Sequence, residues 1–192
     1  MRTTREEVQA HHHQHHNIGV VATFENLDLS HLDLSGLHLP RSRFENSNLT
    51  NTNLEGTDLS FAQILNSNLA GANLANATLT RSDITNSALT YATLDHADLA
   101  YADLYNCNLK GATFTHTNLP DAWFGDSRGL TPHQLLGTHG LRRWLCTGPP
   151  PDIWNALLPK DPNARELTER LLQDWDGTLR EAITTAEELR KS

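Results

Sequence analysis

Eleven histidines, two cysteines and 23 carboxylates are the first side chains of this 192-residue sequence to test for chemistry. Five of the histidines, His11, His12, His13, His15 and His16, stand in one tract near the N-terminus. Imidazoles bind transition metals, but only where the ligand geometry is fixed, and a flexible His-rich segment over residues 1–17 fixes none. His96 and His116 form a second pair twenty residues apart, and two surface imidazoles without a third ligand make no metal centre. Cys107 and Cys146 provide no disulfide framework. There is no G-x-S-x-G, no H-E-x-x-H and no phosphate-cradling glycine loop. Carboxylates recur at one repeated place instead of converging as an acid–base pair. The chain therefore reads as a non-enzyme with no cofactor. Its most specific surface chemistry is a series spaced by twenty, Arg41, Phe61, Arg81 and Tyr101, in which guanidinium and aromatic faces can alternate in contact.

Those residues are positioned by an unbroken period of five. From Phe24 to Phe124 a large apolar residue occupies every fifth position, for example Leu29, Leu34, Leu39, Phe44 and Leu49. A small residue stands two before most of them, as in Ala62, Ser67, Ala72 and Ala77, and Asp, Asn or Thr usually lies between. A helix would rotate about 140° between successive apolar positions, so no stripe forms. In a flat strand an odd spacing sends them to alternate faces. All can point inward only if the chain turns a corner every five residues.

A second period fixes the size of one coil. Phe24, Phe44, Ile64, Ile84 and Phe124 share one register of twenty, and two positions later that register reads Asn26, Asn46, Asn66, Asn86, Asn106 and then Asp126. Four five-residue sides thus close a coil, and stacked coils place equivalent residues ~4.8 Å apart, within reach of an amide ladder. The motif A-(D/N)-L-x-x, written here as AGANL, ANATL, DHADL and AYADL, resembles the pentapeptide-repeat family over about residues 22–126. The resemblance implies a mainly β fold: a right-handed quadrilateral β-helix of about five coils.

The predicted organisation is residues 1–17 as the flexible segment, 18–126 as the β-helix, and 127–192 as a C-terminal α-helical extension. Ile18, Val20 and Val21 read as a strand that leads into the solenoid. Leu27, Leu32 and Leu37 fill the small-residue slots of the first coil, as expected for an end that caps itself. Thr131-Pro132 and Asp161-Pro162 are helix-start signals. With Gly148 and Pro149–Pro151 as a break, they place helices at about 132–145, 152–158, 162–174 and 178–190. Trp123, Trp144, Trp154 and Trp175, with Leu171 and Ile183, either cap the last coil or form a homodimer interface.

The formal net charge is −8, and the repeat region holds 12 acidic against four basic residues, so the whole excess lies there. An acidic surface argues against direct nucleic-acid binding. No apolar run approaches the ~20 residues of a membrane span, and a soluble cytoplasmic protein is expected. Two functions follow. One is a protein-interaction scaffold whose partner surface comprises Arg41, Phe61, Arg81, Tyr101, Tyr91 and Tyr105. In the other, the family resemblance implies a DNA mimic that binds DNA gyrase and modulates it or protects it from quinolone-type poisons. Its acidic surface would comprise Glu25, Glu45, Asp58, Asp83, Asp98 and Asp103. A five-coil rod is about 25 Å long, where duplex DNA carries about 15 charges. The formal charge here falls well short of that.

Overall fold

The computed structural model describes residues 3–140, 158–174 and 179–191. From Asn26 to Asp126 every fifth residue has a positive φ, between 51° and 71°. This left-handed conformation is the physical corner that the period of five requires. Asn and Gly accept it at little cost, which explains their frequency two places after the apolar centre. The centres themselves, from Phe24 through Leu79 to Phe124, are buried and form one continuous core. Burying each such side chain contributes about 1.5–3 kcal/mol.

The twenty-residue coil is equally explicit. Strands β1 (Thr23–Glu25), β2 (Arg43–Glu45) and β3 (Gln63–Leu65) pair in parallel, with Phe24 beside Phe44 and Phe44 beside Ile64. Single bridges carry the same offset along the other walls, from Asp28–Asn48 to Asn108–Arg128. The last bridge, Asn118–His139, is offset by 21 residues because a short helix intervenes. In the expected Asn column one amide-to-amide step forms, Asn106 Nδ2 donating to Asn86 Oδ1 at 2.8 Å, while the Asn26 amide donates to Glu25. A second ladder runs Asn73 to Asn53 to Asp33, each step 3.1 Å.

Two kinds of corner occur within each twenty-residue coil. Three of the four are closed by a backbone bond from the residue after the corner to the carbonyl three before it, as in Ala72 to Leu69 at 3.0 Å. At the corner that carries the Asn column a serine ladder takes over. The N–H groups of Leu27, Ser47 and Ser67 donate to the hydroxyls of Ser47, Ser67 and Ser87, each at 3.1 Å. The small-residue position is therefore a hydrogen-bonding position on this wall.

The ends correct several expectations. Residues 1–17 contain a helix, α1 (Arg5–His16), with a Thr4–Glu7 capping box. It lies against the first coil, with Val8 fully buried in the common core and His12 buried too. Arg5 donates to the carbonyls of Asp33 and Ser35 at 2.8 and 2.7 Å, satisfying edge groups of that coil. Ile18, Val20 and Val21 form no strand and are exposed, because Gly19 ends α1 at a positive φ and turns the chain back before β1 begins. Leu37 is buried and Leu27 and Leu32 pack on the core, as their place at the open end requires.

At the other end, α2 (Pro132–Leu135) starts at the predicted cap but lasts one turn, since residues 136–140 return to pair with the coil. Helices α3 (Pro162–Asp174) and α4 (Leu179–Lys191) pack on each other, and Arg190 reaches Asp161 at 3.2 Å. Ile183 packs against the solenoid core. The helix expected at 152–158, the side chain of Leu171, and Trp144, Trp154 and Trp175 lie outside the described residues. Trp123 is 40 % exposed, with its indole folded back over Gly125.

Candidate functional site

The Arg–aromatic series lies along one corner. Arg41, Phe61, Arg81 and Tyr101 all occupy the left-handed position, which turns their side chains outward. The guanidinium of Arg41 lies 5.5 Å from the Phe61 ring centre, and that of Arg81 lies 5.8 Å from Phe61 and 5.2 Å from Tyr101. Among the described residues neither guanidinium has a carboxylate partner. Phe61 and Tyr101 remain about half exposed. Non-glycine residues in this conformation cost roughly 1–2 kcal/mol each, and the cation–π contacts return about 0.5–1 kcal/mol apiece. A ridge that keeps large, half-exposed aromatics, and guanidinium groups without a carboxylate among the described residues, at strained corners has the composition of interface anchors.

Tyr91 and Tyr105 do not join this ridge. Tyr91 occupies a corner two turns of the chain away and spreads its ring over Gly111, where a Cβ would lie 2.5 Å from the ring. Tyr105 precedes the Asn106 corner and hydrogen-bonds Asp126, which raises its phenol above the ordinary value.

The six carboxylates divide between two walls. Glu25, Glu45, Asp83 and Asp103 lie on the wall of β1 and its continuation, and Asp58 and Asp98 on the preceding one. Most are occupied locally. Glu45 pairs with Arg43 at 2.6 Å, and Glu25 accepts from Asn26. Asp98 takes the Ala100 N–H, the Thr80 hydroxyl and the Asn118 amide. Asp83 accepts from the Thr85 hydroxyl. For Asp58 burial opposes charge, but the Ser60 hydroxyl and N–H and the His38 ring, 2.8 Å away, outweigh it and hold the carboxyl below its ordinary value. Asp103 is raised, by burial first and then by Asp83, although the Tyr105 N–H opposes this. These groups serve as turn acceptors as well as surface charges.

The histidines gained neighbours that the sequence did not reveal. His96 stacks on His116 at 5.1 Å, and His139, brought alongside by the final coil, stacks on His116 at 5.6 Å. The extra residue in that last coil hides His139 from a strict twenty-residue count. His116 Nδ1 and His139 Nε2 lie 3.4 Å apart, so those two nitrogens face each other as a hydrogen-bonded pair. No group of three or more His, Cys, Asp or Glu among the described residues is arranged to hold a metal ion. A cleft of about 540 Å³ between residues 112–116 and the tail is lined by Phe114, His116, His133 and Glu181. No helix among the described residues is long and apolar enough to cross a membrane.

The family model described as Pentapeptide repeats (8 copies) matches residues 28–62, 58–94 and 92–128, just over half of the chain. Among curated proteins none matches the sequence. Of solved structures, a pentapeptide repeat protein (Rfr23) from the cyanobacterium Cyanothece 51142 is 25% identical, with a TM-score of 0.43 over 55% of this chain and 82% of that one. Trypsin-treated QnrB1, a plasmid-mediated fluoroquinolone resistance protein, is 20% identical, with a TM-score of 0.39 over 60% and 78%. A pentapeptide repeat protein from the Arabidopsis thaliana thylakoid lumen is 22% identical, with a TM-score of 0.35 over 82% and 88%.

Proposed function

The chain belongs to the pentapeptide-repeat family, and from that premise we propose that it is a non-enzymatic protein-interaction scaffold in the cytoplasm. The rod is read as a right-handed, four-sided coil of about five turns. Its partner surface is the Arg41–Phe61–Arg81–Tyr101 corner. The observation that carries this is the pair of guanidinium groups held at 5.2–5.8 Å from aromatic rings that stay about half exposed. Stacking preorganises all four side chains, so a partner would lose less entropy in ordering them. The partner is another protein, and dimerisation through the C-terminal helices is part of the proposal.

A type II topoisomerase such as DNA gyrase, engaged by an acidic rod in place of DNA, is the second reading. The confinement of the carboxylate excess to the repeats favours it. Local pairing of Glu45 and Asp58 weighs against a free acidic surface.

One paired experiment separates the two. Complexes captured on the wild-type protein and on a Phe61→Gly, Tyr101→Gly variant are sized by light scattering, and both proteins are added to a gyrase supercoiling assay with a fluoroquinolone. A complex lost only in the variant supports the corner, and retention of the same complex removes it. An unchanged supercoiling reaction removes the topoisomerase reading.

A further inference from the structure

The five histidines of α1 are not idle. His12 is only 4% exposed, and its Nε2 lies 3.3 Å from the Pro40 carbonyl. His16 stacks on it at 5.4 Å, and His38 of the first coil meets it edge-on at 6.4 Å. His13 is adjacent at 6.3 Å, and Arg41 lines the same cleft. The Asp58 carboxylate, 2.8 Å from His38 Nδ1, is paired with that ring. On the other flank His11 packs between His15, 4.1 Å away, and Phe24, 5.0 Å away, and its Nε2 is buried without a hydrogen-bond partner. Glu7 and Glu25 line the cleft beside His11. Glu7 is engaged with the Thr4 N–H.

We infer that α1 is an acid-releasable cap: docked on the first coil while its imidazoles are neutral, and lifted off as they take up protons. Desolvation lowers the His12 pKa, the Pro40 carbonyl opposes this, and His16, His38 and His13 lower it further. A depressed value means that the docked form binds fewer protons than the released one. The docking stability is thus complete above the ordinary histidine range and is lost as pH falls through the depressed folded value. Charging His12 would place a cation beside His16, His38 and Arg41, and a charged His11 would present a buried donor with nothing to receive it. Glu7 and Glu25 soften the second cost without touching the first. His13, His15 and His16 sit in the last turn of α1, the end at which a helix dipole tolerates positive charge. Acid therefore opposes the docking of the helix more than its helicity. Release uncovers Phe24 and the carbonyl edge that Arg5 now covers.

Hydrogen–deuterium exchange on the full chain at about pH 7.5 and about pH 5, corrected for intrinsic rates, tests this. The wild type should lose protection over residues 5–16 on the order of tenfold at the lower pH, while residues 69–99 keep theirs. His12→Phe should keep protection at both. Equal wild-type protection at both pH values, equal loss in His12→Phe, or simultaneous loss over 69–99 would overturn the inference. If His12→Phe fails to dock even at neutral pH, the wild-type ring titrations observed by NMR decide. A His12 midpoint below that of exposed His13 supports the cap, and one at or above it sinks the idea.

Discussion

Cys107 stands one coil beyond Ser87 in the serine ladder, and its own N–H donates to Ser127 Oγ at 2.8 Å. The Ser87 N–H bonds the Cys107 sulfur, so a thiol replaces one hydroxyl in an otherwise continuous series. Burial pushes this thiol up to about 12, with Asp103 and Asp83 adding to the shift and the Ser87 bond opposing it. Thiolate is the reactive species, and at about pH 8 only on the order of one molecule in ten thousand would carry it. Iodoacetamide should leave Cys107 unmodified in the folded protein and modify it fully in denaturant, as read by peptide mass mapping. Stoichiometric labelling of the folded chain would show that the wall opens.

Elsewhere the same interior position separates useful hydroxyls from wasted ones. Thr52 Oγ1 donates to the Leu29 carbonyl at 2.8 Å, whereas Ser82 Oγ is buried with no partner. Ala62 and Ala102 occupy the equivalent slot one coil to either side of Ser82. Ser82→Ala should therefore be neutral or stabilising by up to about 1 kcal/mol, and Thr52→Val destabilising by about 1 kcal/mol. Urea unfolding of the two variants beside the wild type measures both. A Ser82→Ala protein less stable than Thr52→Val would contradict this assignment of the hydroxyls.

The solenoid is legible because its rule is local and repeated: corner and centre recur 21 times, a small residue precedes most centres, and Asn and Gly mark the left-handed position. The Arg–aromatic column followed from the same count. What the count missed lay where the repeat ends. The polarity of the N-terminal tract predicts a flexible segment, yet Val8 and the Thr4–Glu7 box specify a docked helix. His139 joined the His96–His116 stack through a one-residue offset that no period encodes. Residue type alone pairs Tyr91 with Tyr101, but two walls of the coil separate the Arg81 corner from the Tyr91 corner.

At the Arg–aromatic corner the usual stability order of alanine over glycine should invert. Phe61 has φ 59° and Arg81 has φ 59°, so alanine keeps the Cβ that this conformation penalises while glycine removes it. Both substitutions delete the same cation–π contacts. Phe61→Gly should thus be more stable than Phe61→Ala by about 1 kcal/mol, and the Arg81 pair should follow in the same direction. Thermal unfolding at fixed pH gives the comparison. An alanine variant as stable as its glycine counterpart would mean that the corner relaxes when the side chain is lost.

Asp103 offers a pH-dependent test of the acidic wall. It faces Asp83 across one bridge, and burial together with that neighbour raises its pKa, even though its Oδ1 accepts the Tyr105 N–H at 2.9 Å. A raised carboxyl binds its proton more tightly in the folded chain than in the unfolded one. Stability therefore falls as pH rises from below the ordinary carboxylate value through the raised one, and the deficit persists at neutral pH. Asp103→Asn keeps the acceptor for Tyr105 and removes the charge. It should raise the neutral-pH stability by less than about 1 kcal/mol, since both carboxylates retain solvent contact that screens their repulsion. The gain should shrink toward zero below about pH 4, where the wild-type Asp103 is itself protonated. Melting curves of both proteins across that range read the difference directly. A gain that grows on acidification, or a loss at neutral pH, would place the stabilising role in the charge and not in the acceptor.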